Sequence, residues 1–134
     1  HLKKTFFINF NFFMFLNIIL IIFYLYPGSI LGWFLYKNTG IDVQITNDFL
    51  GISSNHFYAF FSLSFLGILS YSKHKKFDLL IKYLLLLSVL LELSHLLIPI
   101  RGFEFKDLFG NILGIVLALL VYKVLRQGFS QKKK

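Results

Sequence analysis

Glu92 and His95 stand three residues apart, a spacing that puts both side chains on one face of a helix. They lie inside an apolar run, 79–98, that is long enough to cross a bilayer. A carboxylate in hydrocarbon costs several kcal/mol unless it is paired or faces a polar cavity. Downstream come Pro99, Arg101, Asp107, Asn111 and Gly114. Asp107, Asn111 and Gly114 fall at i, i+4 and i+7, again on one helical face. Two acids can work as an acid–base pair or bind a polar ligand. The guanidinium fork of Arg101 suits a carboxylate first and a phosphate second. The expected arrangement is therefore Arg101 paired with Glu92 or Asp107.

Other chemistry has weaker support. His56 and His95, with Glu92 and Asp107, are ligand types that suit zinc. No H-E-x-x-H helix occurs, however, and no metal or other cofactor is expected. Ser53, Ser54 and Ser94 lie near histidines without a G-x-S-x-G elbow, so no catalytic residue is assigned. The chain has no Cys, which removes thiolate chemistry and disulfides. Each site residue also has a structural use. Asp107 complements a helix dipole at its N-terminus. Asn111 can bridge helices, and Gly110 with Gly114 makes the Gly-x-x-x-Gly pattern of close helix packing. His74, in a basic turn, reads as solvated.

The elements that must position these groups follow from composition. Of 134 residues, 57% are hydrophobic and 18 are Phe, more than one soluble core of this size can hide. The net charge of +8 comes from residues that flank apolar runs. They do not form a basic patch with interleaved polar readers, so membrane lipid is the expected partner and nucleic acid is not. Four spans can be drawn in a single domain, 1–134: about 6–26, 56–71, 77–98 and 108–125. The first ends at Pro27-Gly28 and is too long for a signal-peptide core. An outer loop, 27–55, holds a short interfacial helix at 30–36 with Trp33 and Tyr36. Eleven Lys and Arg side chains fall on one side of this arrangement and three on the other (Lys37, Arg101, Lys106). The expectation is an all-α integral membrane protein, a four-transmembrane-helix bundle with both termini cytoplasmic. His56, Glu92, His95, Arg101, Asp107 and Asn111 then share the outer side.

The pattern Glu92-x-x-His95, Pro99-x-Arg101, Asp107-x-x-x-Asn111-x-x-Gly114 resembles the VanZ-like family, whose members read E-x-x-Q, P-x-R and D-x-x-x-N-x-x-G in their last two helices. The resemblance covers the second to fourth spans. His95 stands where the family has Gln. The family's D-K before the histidine of the second helix is absent here, where the chain reads Ser54-Asn55-His56-Phe57. The resemblance implies a small multi-pass protein of the bacterial inner membrane, acting at the cell envelope. The family's founding member is associated with resistance to the glycopeptide teicoplanin. The leading expectation is non-enzymatic: a polar outer-leaflet site that engages an envelope lipid, a lipid-linked precursor or a glycopeptide antibiotic. Two alternatives stand beside it. One is an accessory subunit of a larger membrane protein complex. The other is an enzyme using Glu92 and Asp107 as acid and base on a lipid headgroup, with Arg101 on its phosphate.

Overall fold

The computed structural model describes residues 2–99 and 101–132; Lys133 and Lys134 of the basic tail lie outside the described residues. Five helices follow one another: α1 Leu2–Leu25, α2 Ile30–Tyr36, α3 Ser54–Tyr71, α4 Phe77–Ser94 and α5 Phe105–Lys132. Among the described residues there is no strand, only an isolated pairing of Phe49 with Ile52 across Leu50-Gly51. Both turn residues have positive φ, 53° and 70°, as a tight turn of this hand requires.

The four-span expectation does not hold. Among the described residues, two helices, α1 and α5, are long and apolar enough to cross a membrane, over Lys4–Leu25 and Phe105–Gly128. The reasons lie in the other two long helices. α3 opens on Ser54, Asn55 and His56 and carries serines throughout its length. α4 holds Asp78, Lys82 and Glu92 within 18 residues. The polar residues of α3 lower its apolar density below that of a span, and α4, though rich in Leu, carries more charge than a span does. α1 and α5 are also poorly covered by the rest of the fold, with 17% and 28% of these stretches buried, whereas the core helix of a soluble protein is mostly buried.

An apolar core that includes Phe60, Leu63, Leu84 and Ile115 is buried, and much apolar surface also remains outside. Phe7, Phe12, Phe15 and Ile18 of α1, Leu86, Leu90 and Leu97 on and just after α4, and Leu120 and Val124 of α5 are exposed. Ser54, Ser64, Ser88, Glu92, His95 and Asn111 are buried. Lipid tails give no hydrophobic drive between helices, so such bundles are held by close packing and interhelical hydrogen bonds. Both devices are present. Tyr83 donates to Asn17 Oδ1 at 2.7 Å, joining α4 to α1. Gly110 and Gly114 let α5 lie against the backbone of α3. A Cβ at Gly114 would stand 2.7 Å from Phe57 O and from Phe61 N, and one at Gly110 would stand 2.7 Å from Ser53 O.

α4 stops earlier than the apolar run suggests. His95, Leu96 and Leu97 donate to carbonyls three residues back, so the helix tightens into a 3₁₀-like turn. Pro99 lies just beyond, and the residue before a proline is pushed out of helical geometry. His95 is thus the C-cap of α4 and turns inward.

The segment between α2 and α3 is tied to the start of α3. Ser54 N donates to Asp48 Oδ1 at 3.1 Å, and Ser54 Oγ donates to Thr46 O at 2.6 Å. Asn55 accepts from Ile45 N and donates to Val43 O. The Ser54 backbone N–H, chiefly, with help from Lys106, holds the Asp48 carboxyl below its usual pKa. A depressed folded pKa adds stability that is present above the ordinary carboxylate pKa and is lost as pH falls through the folded one. The protection of the Ser54 amide against hydrogen exchange, relative to the intrinsic exchange rate at each pH, should therefore fall on acidification. Asp48→Asn should remove that pH dependence, and an unchanged profile in the variant would rule the cap out.

Candidate functional site

The polar end of the bundle is built around one amide. Asn111, fully buried on α5, accepts from Tyr24 Oη of α1 at 2.7 Å and donates through Nδ2 to Ser88 O of α4 at 3.2 Å. Its Oδ1 also lies 3.1 Å from His56 Nδ1 of α3. The bond to the Ser88 carbonyl fixes which end of the amide is NH₂. Oδ1 is then an acceptor, and His56 Nδ1 must be the donor. In the neutral ring this leaves the lone pair on Nε2, which faces Asp107 Oδ1 at 3.7 Å.

Glu92 is also fully buried. Its Oε1 accepts from Glu104 N at 3.2 Å, immediately before α5, and lies 3.3 Å from His95 Nδ1. His95 Nε2 donates to Tyr24 O at 2.9 Å. The Glu92 carboxylate and Asp107, in the first turn of α5, therefore both sit at the positive end of that helix's dipole. The second Glu92 oxygen, Oε2, has no hydrogen-bond partner and lies 3.9 Å from His56 Nδ1. Tyr24 packs between the two imidazoles, edge-on to His56 at 4.8 Å and stacked on His95 at 5.8 Å.

The fold thus brings His56, Glu92, His95, Asp107 and Asn111 together. Gly110 and Gly114, on the same helix, act in packing. Arg101 goes elsewhere. Its guanidinium donates to Tyr26 O at 2.9 Å, Phe23 O at 3.1 Å and Gly28 O at 2.5 Å. The expected pairing with Glu92 or Asp107 is not formed. The reason is the end of α1: the last turn of a helix leaves carbonyls without intrahelical partners, and a cation there meets the negative end of the dipole. The turn after Pro99 carries Arg101 to that end, and its fork fits several carbonyls at once.

Tyr24, Ser88 and Glu104 escaped the sequence reading. Tyr24 lies beside Tyr26 at the end of an apolar run, where aromatics commonly mark an interface. Ser88 lies four residues before Glu92, on the same helical face, and that spacing is its one signal. Glu104 contributes a backbone N–H, which no side-chain pattern reveals.

A cleft of about 450 Å3 opens beside this cluster. Leu16, Leu20 and Phe23 of α1 and Leu31 of α2 give it an apolar wall. Its polar end carries Asp42, Asp48, Glu104 and Asp107 with Arg101 and Lys106. Lys106 is paired with Asp48 and with Glu104, each at 3.4 Å. No family model matches this chain, and no characterised protein and no solved structure matches it.

Proposed function

We propose that this chain is a membrane protein of VanZ-like kind, embedded in a bacterial inner membrane through α1 and α5, that binds the head of an envelope amphiphile. The observation that carries the reading is the cleft, which joins an apolar wall to a polar end within one cavity. An amphiphile presents the same two surfaces: the acyl part lies along Leu16, Leu20 and Leu31, and the head meets the charged end. Four acids and two bases line that end, so the favoured head carries an ammonium beside its phosphate, or several hydroxyls. Envelope lipids, lipid-linked precursors and glycopeptide antibiotics all fall within this chemistry. Glu92, Asp107 and Asn111, which carry the family resemblance, lie at the same end of the bundle.

The test is a titration of a short-chain phosphatidylethanolamine bearing a fluorescent tail, followed by anisotropy with the protein in mild detergent. Saturable binding is expected, tighter than for the matching phosphatidylglycerol. Leu31 is partly exposed, so Leu31→Asp should fold normally while placing a charge on the apolar wall. Its affinity should fall about tenfold, the equivalent of ~1.4 kcal/mol. Absence of saturable binding by the parent, or equal binding by Leu31→Asp, would sink the reading.

A further inference from the structure

We propose that His56, Glu92 and Asp107 form a binding site for one divalent metal ion of the zinc class. One ligand atom can be chosen from each so that all lie within 4.8 Å of one another. The three residues come from α3, α4 and α5, so no sequence spacing along one helix announces them.

Three independent features point to a cation here. The first is the orphaned oxygen: Glu92 Oε2 is fully buried, faces the cluster and lacks a hydrogen-bond partner. A buried carboxylate oxygen in that state is costly, and a metal bond satisfies it. The second is the charge balance. Among the described residues, no Lys or Arg lies within ion-pair distance of Glu92 or Asp107; imidazoles alone do. Arg101, the cation nearest in sequence to both, is committed to the carbonyls at the end of α1. The third is the tautomer. His56 Nδ1–H donates to Asn111, leaving the Nε2 lone pair toward Asp107. Metal-bound histidines characteristically donate their other ring N–H to a fixed acceptor, which orients the ring. Asn111 is held for that part by Tyr24 and Ser88.

The donor set of one imidazole and two carboxylates matches zinc and its neighbours, with bonds of about 2.1 Å and ligand atoms about 3.4 Å apart at a tetrahedral centre. The three ligand atoms, now within 4.8 Å of one another, would have to draw together by on the order of 1 Å to reach that value. Three protein ligands leave a fourth position open. His56 and Asp107 line the cleft, so that position faces it. The site rests on these side chains alone and does not depend on what fills the cleft.

The experiment uses the full chain without a polyhistidine tag, purified in mild detergent, stripped with chelator and titrated with Co²⁺ and then Zn²⁺. One Co²⁺ per chain should bind with visible ligand-field absorption, and Zn²⁺ should displace it. Glu92→Gln and Asp107→Asn keep shape and most hydrogen bonding. Each should lose the absorption while keeping the parent's circular dichroism. His74→Ala, in the basic turn at the far end of α3, should bind as the parent does. X-ray absorption of the zinc-loaded parent should show a nitrogen and oxygen shell with imidazole scattering, a readout that needs no variant to fold. The proposal fails if the parent shows no Co²⁺ absorption, if both carboxylate variants bind normally, if His74→Ala abolishes binding, or if the zinc shell lacks imidazole.

Discussion

Leucine in place of Gly114 should cost the fold roughly 3 kcal/mol or more, a loss on the order of 100-fold in the folded-to-unfolded ratio. Overpacking usually costs less because a facing side chain can rotate away. Here the facing atoms are Phe57 O and Phe61 N, the backbone of α3, and a Cβ alone would stand 2.7 Å from each. The only relief is to push α5 off α3. That movement breaks the Asn111 contacts with His56, Tyr24 and Ser88 together. Gly128 lies on the same helix, where an added Cβ meets nothing within 4 Å, so Gly128→Leu serves as the control. Unfolding by SDS titration from mild detergent would read both. Equal midpoints for Gly114→Leu and Gly128→Leu would show that the helices do not meet through this glycine.

Arg101→Ala should be the second most damaging of the substitutions considered. It removes a charged donor from three carbonyls at the end of α1 and the turn that follows. A hydrogen bond to a charged group contributes about 1.5–3 kcal/mol when sheltered. The side chain is only partly buried and water can replace some contacts, so a total near 2–3 kcal/mol is expected. Arg101→Lys should recover less than half of this, because an ammonium keeps the charge but loses the planar fork. Lys73→Ala, in an exposed turn, should be near neutral. Thermal midpoints in detergent, with protease cleavage after Tyr26 as a local probe, would separate the three. If Arg101→Lys matches the parent, charge alone suffices and the fork is dispensable.

The helices themselves were legible in the sequence, because apolar runs broken by Pro27-Gly28, by the basic turn at 73–76 and by Pro99 leave few other arrangements. Asn111 and the glycines at 110 and 114 were legible because small and amide residues in an apolar helix have few uses besides meeting another helix. The number of spans was not. Apolar content over whole runs suggests four, but the serines of α3 and the three charges of α4 count against it. The partner of Arg101 was not legible for a different reason. Charge complementarity named Glu92 and Asp107, while the competing acceptors were backbone carbonyls, present at every residue and identified as unsatisfied only by where α1 ends. The role of Tyr24 required knowing that the ends of α1 and α4 meet, which is a tertiary fact.

The attachment of Arg101 to the end of α1 also sets an order of assembly. Arg101 and Tyr26 are separated by 75 positions, so the clasp closes only after most of the chain has been made. At a synthesis rate of roughly 5–20 residues per second, α1 waits on the order of 4–15 s before its last carbonyls receive their partner. During that interval α1 can already pack on α3 and, through Tyr83 and Asn17, on α4, while its last carbonyls stay unclasped. The arrival of residue 101 then fixes the end of α1, with Phe23 and Tyr24, as part of the cleft wall.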